Sequence, residues 1–302
     1  MIDRLLERFR HGDRLALARL LTLVARGKNL ADIAAKVPEP KRSCRVVAIT
    51  GSGGVGKSSL IGKLIEHIRG QNLKVAVLAC DPQSPLSGGA LLGDRFRMPS
   101  LPKDDGVFIR SLAAQAGQGA IAENLGLMVR LCAAFGFDVV LIETVGAGQG
   151  ESAARAVADV VVLLLQPETG DDLQWEKAGI LEVADILVVH KADLPGADQV
   201  AAQVGASIEL SGQGAPVLQA SAKTGQGLAE LWHAIQAVVK KPAPFPTENE
   251  LLRLAHQELT ARFQSALATG DRNLQNIIKQ FQEGRLAAAE AACAILKLLL
   301  IP

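Results

Sequence analysis

The feature that most constrains this chain is the octapeptide at residues 51–58, which reads Gly-Ser-Gly-Gly-Val-Gly-Lys-Ser. It has the spacing G-x-x-x-x-G-K-[ST], in which glycines allow successive backbone N–H groups to surround a phosphate. In such a loop Lys57 reaches the β- and γ-phosphates, and the Ser58 hydroxyl can ligate Mg²⁺. The residues predicted to contact the nucleotide here are Gly51, Gly53, Gly54, Val55, Gly56, Lys57, Ser58 and Ser59.

The residues on either side of this loop have the periodicities that the motif requires. Residues 44–50 form an apolar, β-branched run that ends at the loop, and residues 59–68 place apolar side chains at helical spacing. A strand, a glycine loop and a helix in this order place phosphates at a helix N-terminus, where free N–H groups and the helix dipole favour anions. The motif and its surroundings therefore agree on a phosphate-binding loop.

Apolar runs alternate with helical patterns from residue 44 to about residue 240. Most of the runs are continuously apolar, as expected for parallel strands that are covered on both faces. The prediction is an α/β fold of the P-loop NTPase type, with a mainly parallel central sheet flanked by helices and with ligands at the carboxyl ends of the strands. The candidate strands are Val46–Thr50, Val75–Cys80, Val139–Glu143, Val160–Leu165, Ile186–His190 and Pro216–Ala220.

The two ends of the chain have a different pattern. Residues 1–40 are predicted to form an N-terminal helical extension, which the prolines at positions 38 and 40 close. The P-loop domain then covers residues 41–240, and a stiff proline-rich linker at 241–246 opens a C-terminal helical arm at 241–302. The helical pair expected in this arm could pack on its own core or on a second copy of the chain.

Composition narrows the class of function. The chain has 302 residues, a net charge of +1, 3% aromatic residues and no tyrosine, so neither nucleic acid nor a membrane surface is a predicted partner. The four cysteines are far apart, so a dedicated zinc site is not expected, and Cys44, Cys80 and Cys132 are predicted to be buried thiols. This cysteine usage, with no apolar run as long as a membrane span, predicts a cytoplasmic protein.

Acidic residues end two of the candidate strands. Glu143 closes an apolar run and is placed to bind Mg²⁺ directly or through water, and Asp81 ends a second run beside the phosphate loop. The segment from Glu143 to Gly146 also has the spacing of the D-x-x-G switch of GTPases, with glutamate in place of aspartate. The Gly146 N–H could then sense a γ-phosphate, so that loss of this phosphate releases the segment.

Two short motifs at later strand ends favour guanine over adenine. His190-Lys191-Ala192-Asp193 occupies the position of the N-K-x-D motif of GTPases, where the aspartate accepts protons from the guanine ring N–H and amino group, and the lysine stem lies along the base. Ser221-Ala222-Lys223 matches the S-A-K base loop. Asparagine in the first motif ties the base loop to the phosphate loop, and the sequence leaves open whether His190 does so.

Residues 81–98 narrow the interpretation further, because they resemble the D-P-S-S-x-x-[ST]-G-G-S-[IL]-L-G-D-K-T-R-M block of the MeaB/ArgK family. The segment from Glu143 to Gln149 looks like the family's E-T-V-G-V-G-Q, residues 170–174 look like its G-D-[DE]-L-Q, and residues 12–19 resemble its opening helix. The resemblance covers most of residues 10–235. It implies a GTPase chaperone of an adenosylcobalamin-dependent acyl-CoA mutase, which gates cofactor loading and protects or reactivates the mutase.

The resemblance also implies roles for individual residues. Lys57 and Ser58 bind phosphates and Mg²⁺, while Asp81, Asp94 and Glu143 surround the metal. Gly146 and Gln149 belong to a second switch, and Lys177 falls on a family lysine in a third switch at residues 170–181. The family further implies a homodimer with the C-terminal arm at the dimer contact, and a partner mutase that accelerates GTP hydrolysis.

This chain departs from the family where partners are contacted. At residues 111–120 the prolines of the family's first switch are missing, and Trp175, Glu176 and Ala178 are unusual in the third switch. The partner could therefore be methylmalonyl-CoA mutase or another acyl-CoA mutase, such as one for isobutyryl-type or hydroxyacyl substrates. A metal-inserting GTPase is opposed by the scattered cysteines. A small-molecule kinase or transport ATPase is opposed by the two base motifs.

Overall fold

The computed structural model describes residues 2–82, 104–114, 124–144, 154–167, 184–212, 214–239 and 248–300. The chain divides into two compact units, at residues 1–242 and 243–302. The predicted linker at 241–246 lies outside the described residues.

The first unit is built on a seven-stranded sheet in which every described strand pair is parallel. The strand order across the sheet is β3-β2-β4-β1-β5-β6-β7. The predicted parallel P-loop architecture is therefore confirmed. The strands are β1 Arg45–Gly51, β2 Val75–Pro82, β3 Val107–Ala114, β4 Val139–Glu143, β5 Val160–Leu165, β6 Ile186–His190 and β7 Val217–Ala220.

Helices cover both faces of this sheet. Every residue of β4, β5 and β6 is buried, which is why these strands read as continuous apolar runs. On one face, apolar side chains of the N-terminal helices share a core with β1, β2 and β4. On the other face the core is filled by residues of the helix after the phosphate loop and of the helix after β7. The helices of this unit are α1 Ile2–Arg10, α2 Arg14–Ala25, α3 Leu30–Lys36, α4 Lys57–Gly70, α5 Leu125–Phe135, α6 Ala197–Ser211 and α7 Leu228–Ala237.

The strand predictions agree with the structure except at one edge of the sheet and at a few ends. The candidates at β4, β5 and β6 have the observed bounds, whereas β1 and β2 are longer than predicted and β7 begins at Val217. Strand β3 is not among the candidates, and its last residues, Ser111–Ala114, belong to the predicted first switch at 111–120. They pair with β2. Proline cannot donate to a strand ladder, so the absence of proline here allows the strand to continue.

The second unit contains three described helices rather than the expected pair: α8 Glu248–Thr269, α9 Arg272–Gln282 and α10 Ala288–Leu300. The break between α8 and α9 has a local cause. Gly270 takes a left-handed φ of +69°, and the Asp271 carboxylate accepts hydrogen bonds from the backbone N–H groups of Asn273 and Leu274 at the start of α9.

Two predictions from composition can be compared with the described residues. Cys44, Cys80 and Cys132 are buried, as predicted, and Cys293 is exposed. Among the residues that the structure describes, no helix combines the length and apolarity that crossing a membrane requires.

Candidate nucleotide-binding site

The phosphate loop connects β1 to α4 and depends on glycine at particular positions. Gly51, Gly54 and Gly56 have φ angles of +147°, +77° and +102°, a region that favours glycine. At Gly51 there is also no space, because a Cβ atom would lie 2.6 Å from the backbone oxygen of Leu164 in β5. The loop conformation therefore follows from the motif, and β5 fixes where the loop begins.

We expect Gly51→Ala to destabilise the protein by about 1–3 kcal/mol, because it combines a strained φ with a backbone contact. Gly53→Ala is the matched control in the same loop, since a Cβ at Gly53 meets no atom within 4 Å. Denaturant unfolding without nucleotide measures both variants. Equal stabilities for the two would show that the contact with Leu164 does not restrict the loop.

Lys57 is the first residue of α4, and its ammonium points back into the loop. Its Nζ donates hydrogen bonds to the carbonyl oxygens of Gly51 at 2.8 Å and Ser52 at 3.0 Å. The residue is 9% exposed. The loop backbone thus holds a positive charge at the centre of the predicted phosphate site.

Ser58 and Glu143, two residues predicted from the sequence to bind Mg²⁺ beside the phosphate loop, contact each other. The Ser58 hydroxyl donates to Glu143 Oε1 over 2.7 Å, and both residues are buried. Strand pairing brings them together, because Glu143 at the end of β4 lies in register with Ile49 of β1. Asp81 lies at the end of the neighbouring strand β2, two residues beyond the partner of Glu143, and its side chain is outside the described set. A hydroxyl and a carboxylate are oxygen ligands of the type that Mg²⁺ prefers, so this pair fits the ion.

The end of β6 contacts the phosphate loop through His190. Its Nδ1 lies 2.8 Å from the backbone oxygen of Val55, and its Nε2 accepts a hydrogen bond of 3.3 Å from the Ala222 N–H. The sequence left open whether histidine at this position reaches the phosphate loop. The structure shows that it does.

Asp193 lies where the two predicted base motifs meet. Its Oδ1 accepts a 2.6 Å hydrogen bond from the Ser221 hydroxyl, and Lys223 Nζ lies 3.4 Å from Oδ2. The Ser221 hydrogen bond is the largest cause that lowers the pKa of the Asp193 carboxyl. Burial opposes it, and the hydrogen bond and charge of Lys223 lower the pKa further. Ser221 itself is fixed, since its oxygen accepts from the N–H groups of Lys223 and Thr224. The result is a preformed carboxylate that stays charged at neutral pH.

Lys191 has a contact that the sequence analysis missed. Its Nζ donates to the Gln166 side-chain oxygen over 2.8 Å. Gln166 directly follows the buried strand β5, and a polar residue at that point is the signal that could have identified it. The Ala192 N–H donates to the carbonyl of Ala220 over 3.1 Å, so the backbone also joins the two base motifs.

The structure therefore brings most of the predicted site residues together at the carboxyl ends of the parallel strands. Ser59 lies in the first turn of α4 and is exposed. Among the described residues there is no group of three or more histidine, cysteine or acidic side chains that could hold a metal ion. The predicted site residues Asp94, Gly146, Gln149 and Lys177, and the unusual residues Trp175, Glu176 and Ala178, lie outside the described residues.

Sequence comparisons are consistent with this geometry. Residues 17–263 match the family model described as methylmalonyl-CoA mutase-associated GTPase MeaB. A protein of Pyrococcus abyssi is 37% identical over 314 residues, which cover 98% of this chain and 96% of that protein. The GTPase ArgK of Escherichia coli is 35% identical over 248 residues, covering 76% of this chain and 73% of ArgK.

Two further similarities extend the comparison. The mouse protein named methylmalonic aciduria type A homolog, mitochondrial, is 32% identical over 306 residues, covering 93% of this chain and 71% of that protein. The crystal structure of LAO/AO transport system kinase superposes with a TM-score of 0.64 at 22% identity, covering 99% of this chain and 97% of the other. At that identity the structural similarity supports the fold alone.

Proposed function

This chain belongs to the MeaB family of GTPases, and we propose that it is a GTP-hydrolysing chaperone of an adenosylcobalamin-dependent acyl-CoA mutase. In this role it gates loading of the cobalamin cofactor and protects or reactivates the mutase. The match of residues 17–263 to a family described as mutase-associated carries the proposal. The name of the mouse relative, which refers to methylmalonic aciduria, points the same way.

Asp193 is the proposed guanine-reading residue. Its carboxylate would accept hydrogen bonds from the ring N–H and the amino group of guanine, a pair of donors that adenine does not present. The Ser221 hydroxyl holds the carboxylate, and Lys191 lies on the same loop beside Gln166. Ala222 and Lys223 complete the proposed base loop. These contacts support GTP and GDP as the nucleotides.

The proposed magnesium ligands are Ser58 directly and Glu143 and Asp81 directly or through water. Mg²⁺, when bound, bridges phosphate oxygens and neutralises the charge that develops on them. The Ser58–Glu143 hydrogen bond of 2.7 Å holds the hydroxyl and the carboxylate side by side for this role. Asp94 is assigned to the same metal environment from the family pattern.

The remaining proposed roles concern phosphate chemistry and its control. Lys57 would stabilise negative charge on the β- and γ-phosphates, and the loop N–H groups would orient them. We assign Gly146 and Gln149 to a segment that responds to the γ-phosphate, and Lys177 to a third switch. None of these residues is a strong general base, which fits slow hydrolysis that a partner accelerates.

The partner and the assembly are also part of the proposal. The altered segments at 111–120 and 175–178 leave two candidates, methylmalonyl-CoA mutase and a mutase for isobutyryl-type or hydroxyacyl substrates. We further propose a cytoplasmic homodimer with residues 241–302 as the dimerisation arm. In α10 of that arm, Leu296 and Leu300 are 39% and 66% exposed, which supports an apolar contact.

The proposal is tested by measuring phosphate release from GTP by the purified protein, with ATP as the control nucleotide. Each candidate mutase is added in turn, with and without adenosylcobalamin. We expect slow, GTP-selective hydrolysis that one mutase accelerates at least about tenfold, within the range over which partners activate GTPases. Hydrolysis that no mutase changes would refute the chaperone role, and equal use of ATP would favour the kinase or ATPase alternative.

A further inference from the structure

Two loops of the candidate site meet at one imidazole ring. His190 at the end of β6 is 3% exposed. Its Nδ1 lies 2.8 Å from the carbonyl oxygen of Val55 in the phosphate loop, and its Nε2 lies 3.3 Å from the backbone nitrogen of Ala222 in the base loop. A Cβ added at Gly56 would lie 2.6 Å from Cε1 and 2.7 Å from Nδ1 of this ring. The ring therefore packs directly against the phosphate loop.

The two partners fix the protonation state of His190. The Val55 carbonyl can only accept a hydrogen bond, so Nδ1 must carry a proton. The Ala222 N–H can only donate, so Nε2 must present its lone pair. Only the neutral ring with its proton on Nδ1 satisfies both. An imidazolium carries N–H on both nitrogens, so protonation would turn the contact with Ala222 into two opposed donors.

We propose that His190 is a positioning residue that couples the guanine-reading loops to the phosphate loop, and that nucleotide binding weakens when its ring takes up a proton. This proposal rests on the function proposed above, in which the loops around His190 bind GTP. When the Ala222 bond is lost, the base loop loses its hydrogen bond to the ring that packs against the phosphate loop. A nucleotide that needs both loops then binds less tightly.

The surroundings of the ring are consistent with a group that is neutral at pH 7. Burial, together with the charge of Lys191, lowers the pKa of His190, while the hydrogen bond to the Val55 carbonyl and the charge of Asp193 oppose that change. Lys57 on the phosphate-loop side bonds to loop carbonyls, and Lys223 on the base loop pairs with Asp193. The pKa of Asp193 is itself lowered, so its carboxylate stays charged as the pH falls toward 5. Protonation of Asp193 would therefore not explain a loss of nucleotide binding in mildly acidic solution.

Replacing His190 by asparagine separates the contact with the phosphate loop from the protonation of the ring. In His190→Asn, the new amide nitrogen occupies about the same position as Nδ1 and can donate to the Val55 carbonyl, but the side chain does not titrate. It is too short to reach Ala222 as Nε2 does. His190→Asn should therefore keep the contact with the phosphate loop and remove the pH dependence. His233→Asn is the matched control, because His233 is exposed on α7.

The experiment measures the Kd of fluorescent mant-GDP for the wild type and the two variants between about pH 5 and about pH 8. We expect the wild-type Kd to rise by up to about tenfold per pH unit once the pH is below the pKa of His190. At about pH 8, His190→Asn should bind up to about tenfold more weakly than the wild type, because it lacks the Ala222 bond, and its Kd should show no such rise with acid. His233→Asn should follow the wild type.

A second measurement does not depend on nucleotide. Because the folded-state pKa of His190 lies below the unfolded value, its contribution to stability is complete above about pH 6.5 and is lost as the pH falls toward the lowered pKa. The Tm of the nucleotide-free wild type should therefore fall more steeply with acid than that of His190→Asn. Parallel Tm curves together with parallel Kd curves would overturn the proposal. If the wild type did not bind mant-GDP at pH 8, the proposed nucleotide site would be overturned instead. That result is distinct from parallel pH curves, which concern His190 alone.

Discussion

Replacing Lys57 by alanine is expected to lower the rate of GTP hydrolysis by about 10²–10³-fold, the effect of removing one preorganised group that stabilises developing charge. Lys57 Nζ is held inside the phosphate loop by the carbonyls of Gly51 and Ser52, so its charge is already in position before nucleotide binds. Water cannot replace an ammonium at a site that is 9% exposed. Phosphate release at saturating GTP, with and without the activating mutase, measures the effect.

Lys63→Ala is the matched control for this variant. Lys63 lies on the same helix α4 and pairs with Glu66 over 2.8 Å, but its side chain is 45% exposed. The Lys63→Ala variant should hydrolyse GTP at the wild-type rate. If Lys57→Ala retained more than about a tenth of the wild-type rate while it still bound GTP, Lys57 would not be the group that stabilises the phosphates. Far-UV circular dichroism of both variants excludes unfolding as the cause.

The central strands of the fold could be predicted from the sequence because burial on both faces leaves a simple pattern. Strands β4, β5 and β6 contain almost only apolar residues, and their predicted bounds are the observed ones. Strand β3 gave no such pattern. It is at the edge of the sheet, its middle residues Ile109–Ser111 are half-buried, and two of these are polar. An edge strand of mixed polarity cannot be distinguished from a loop by apolarity alone.

The sequence predicted the residues of the candidate site better than the contacts between them. The motifs identified the phosphate loop, Glu143 and Asp193, because each lies at or just after the end of a recognisable strand. They could not predict that His190 bonds to two loops at once, since those bonds depend on the relative positions of β1, β6 and β7. The Lys191–Gln166 contact was missed for the same reason, because its partners lie 25 residues apart, each directly after one of two neighbouring strands.

Replacing Asp193 by asparagine is expected to weaken GTP binding by at least about 10²-fold and to strengthen binding of xanthosine triphosphate. The aspartate offers two acceptor oxygens, which match the ring N–H and the amino group of guanine. Asparagine presents one acceptor and one donor, so its amide would oppose the guanine amino group. Loss of a charge-assisted hydrogen bond costs about 1.5–3 kcal/mol, and the opposed donors add to that cost. Xanthine has a carbonyl in place of that amino group and therefore matches the asparagine.

The comparison of the two bases separates base recognition from general damage to the loop. The Ser221 hydroxyl can donate to an asparagine oxygen as it does to Asp193, so the loop conformation should persist. Asp198→Asn, on the exposed start of α6, changes the same charge without facing the base and should leave both affinities at their wild-type values. Competition of GTP and xanthosine triphosphate against mant-GDP gives the two affinities. If Asp193→Asn weakened both nucleotides equally, Asp193 would support the loop rather than read guanine, because a direct contact must favour the base whose donors and acceptors fit.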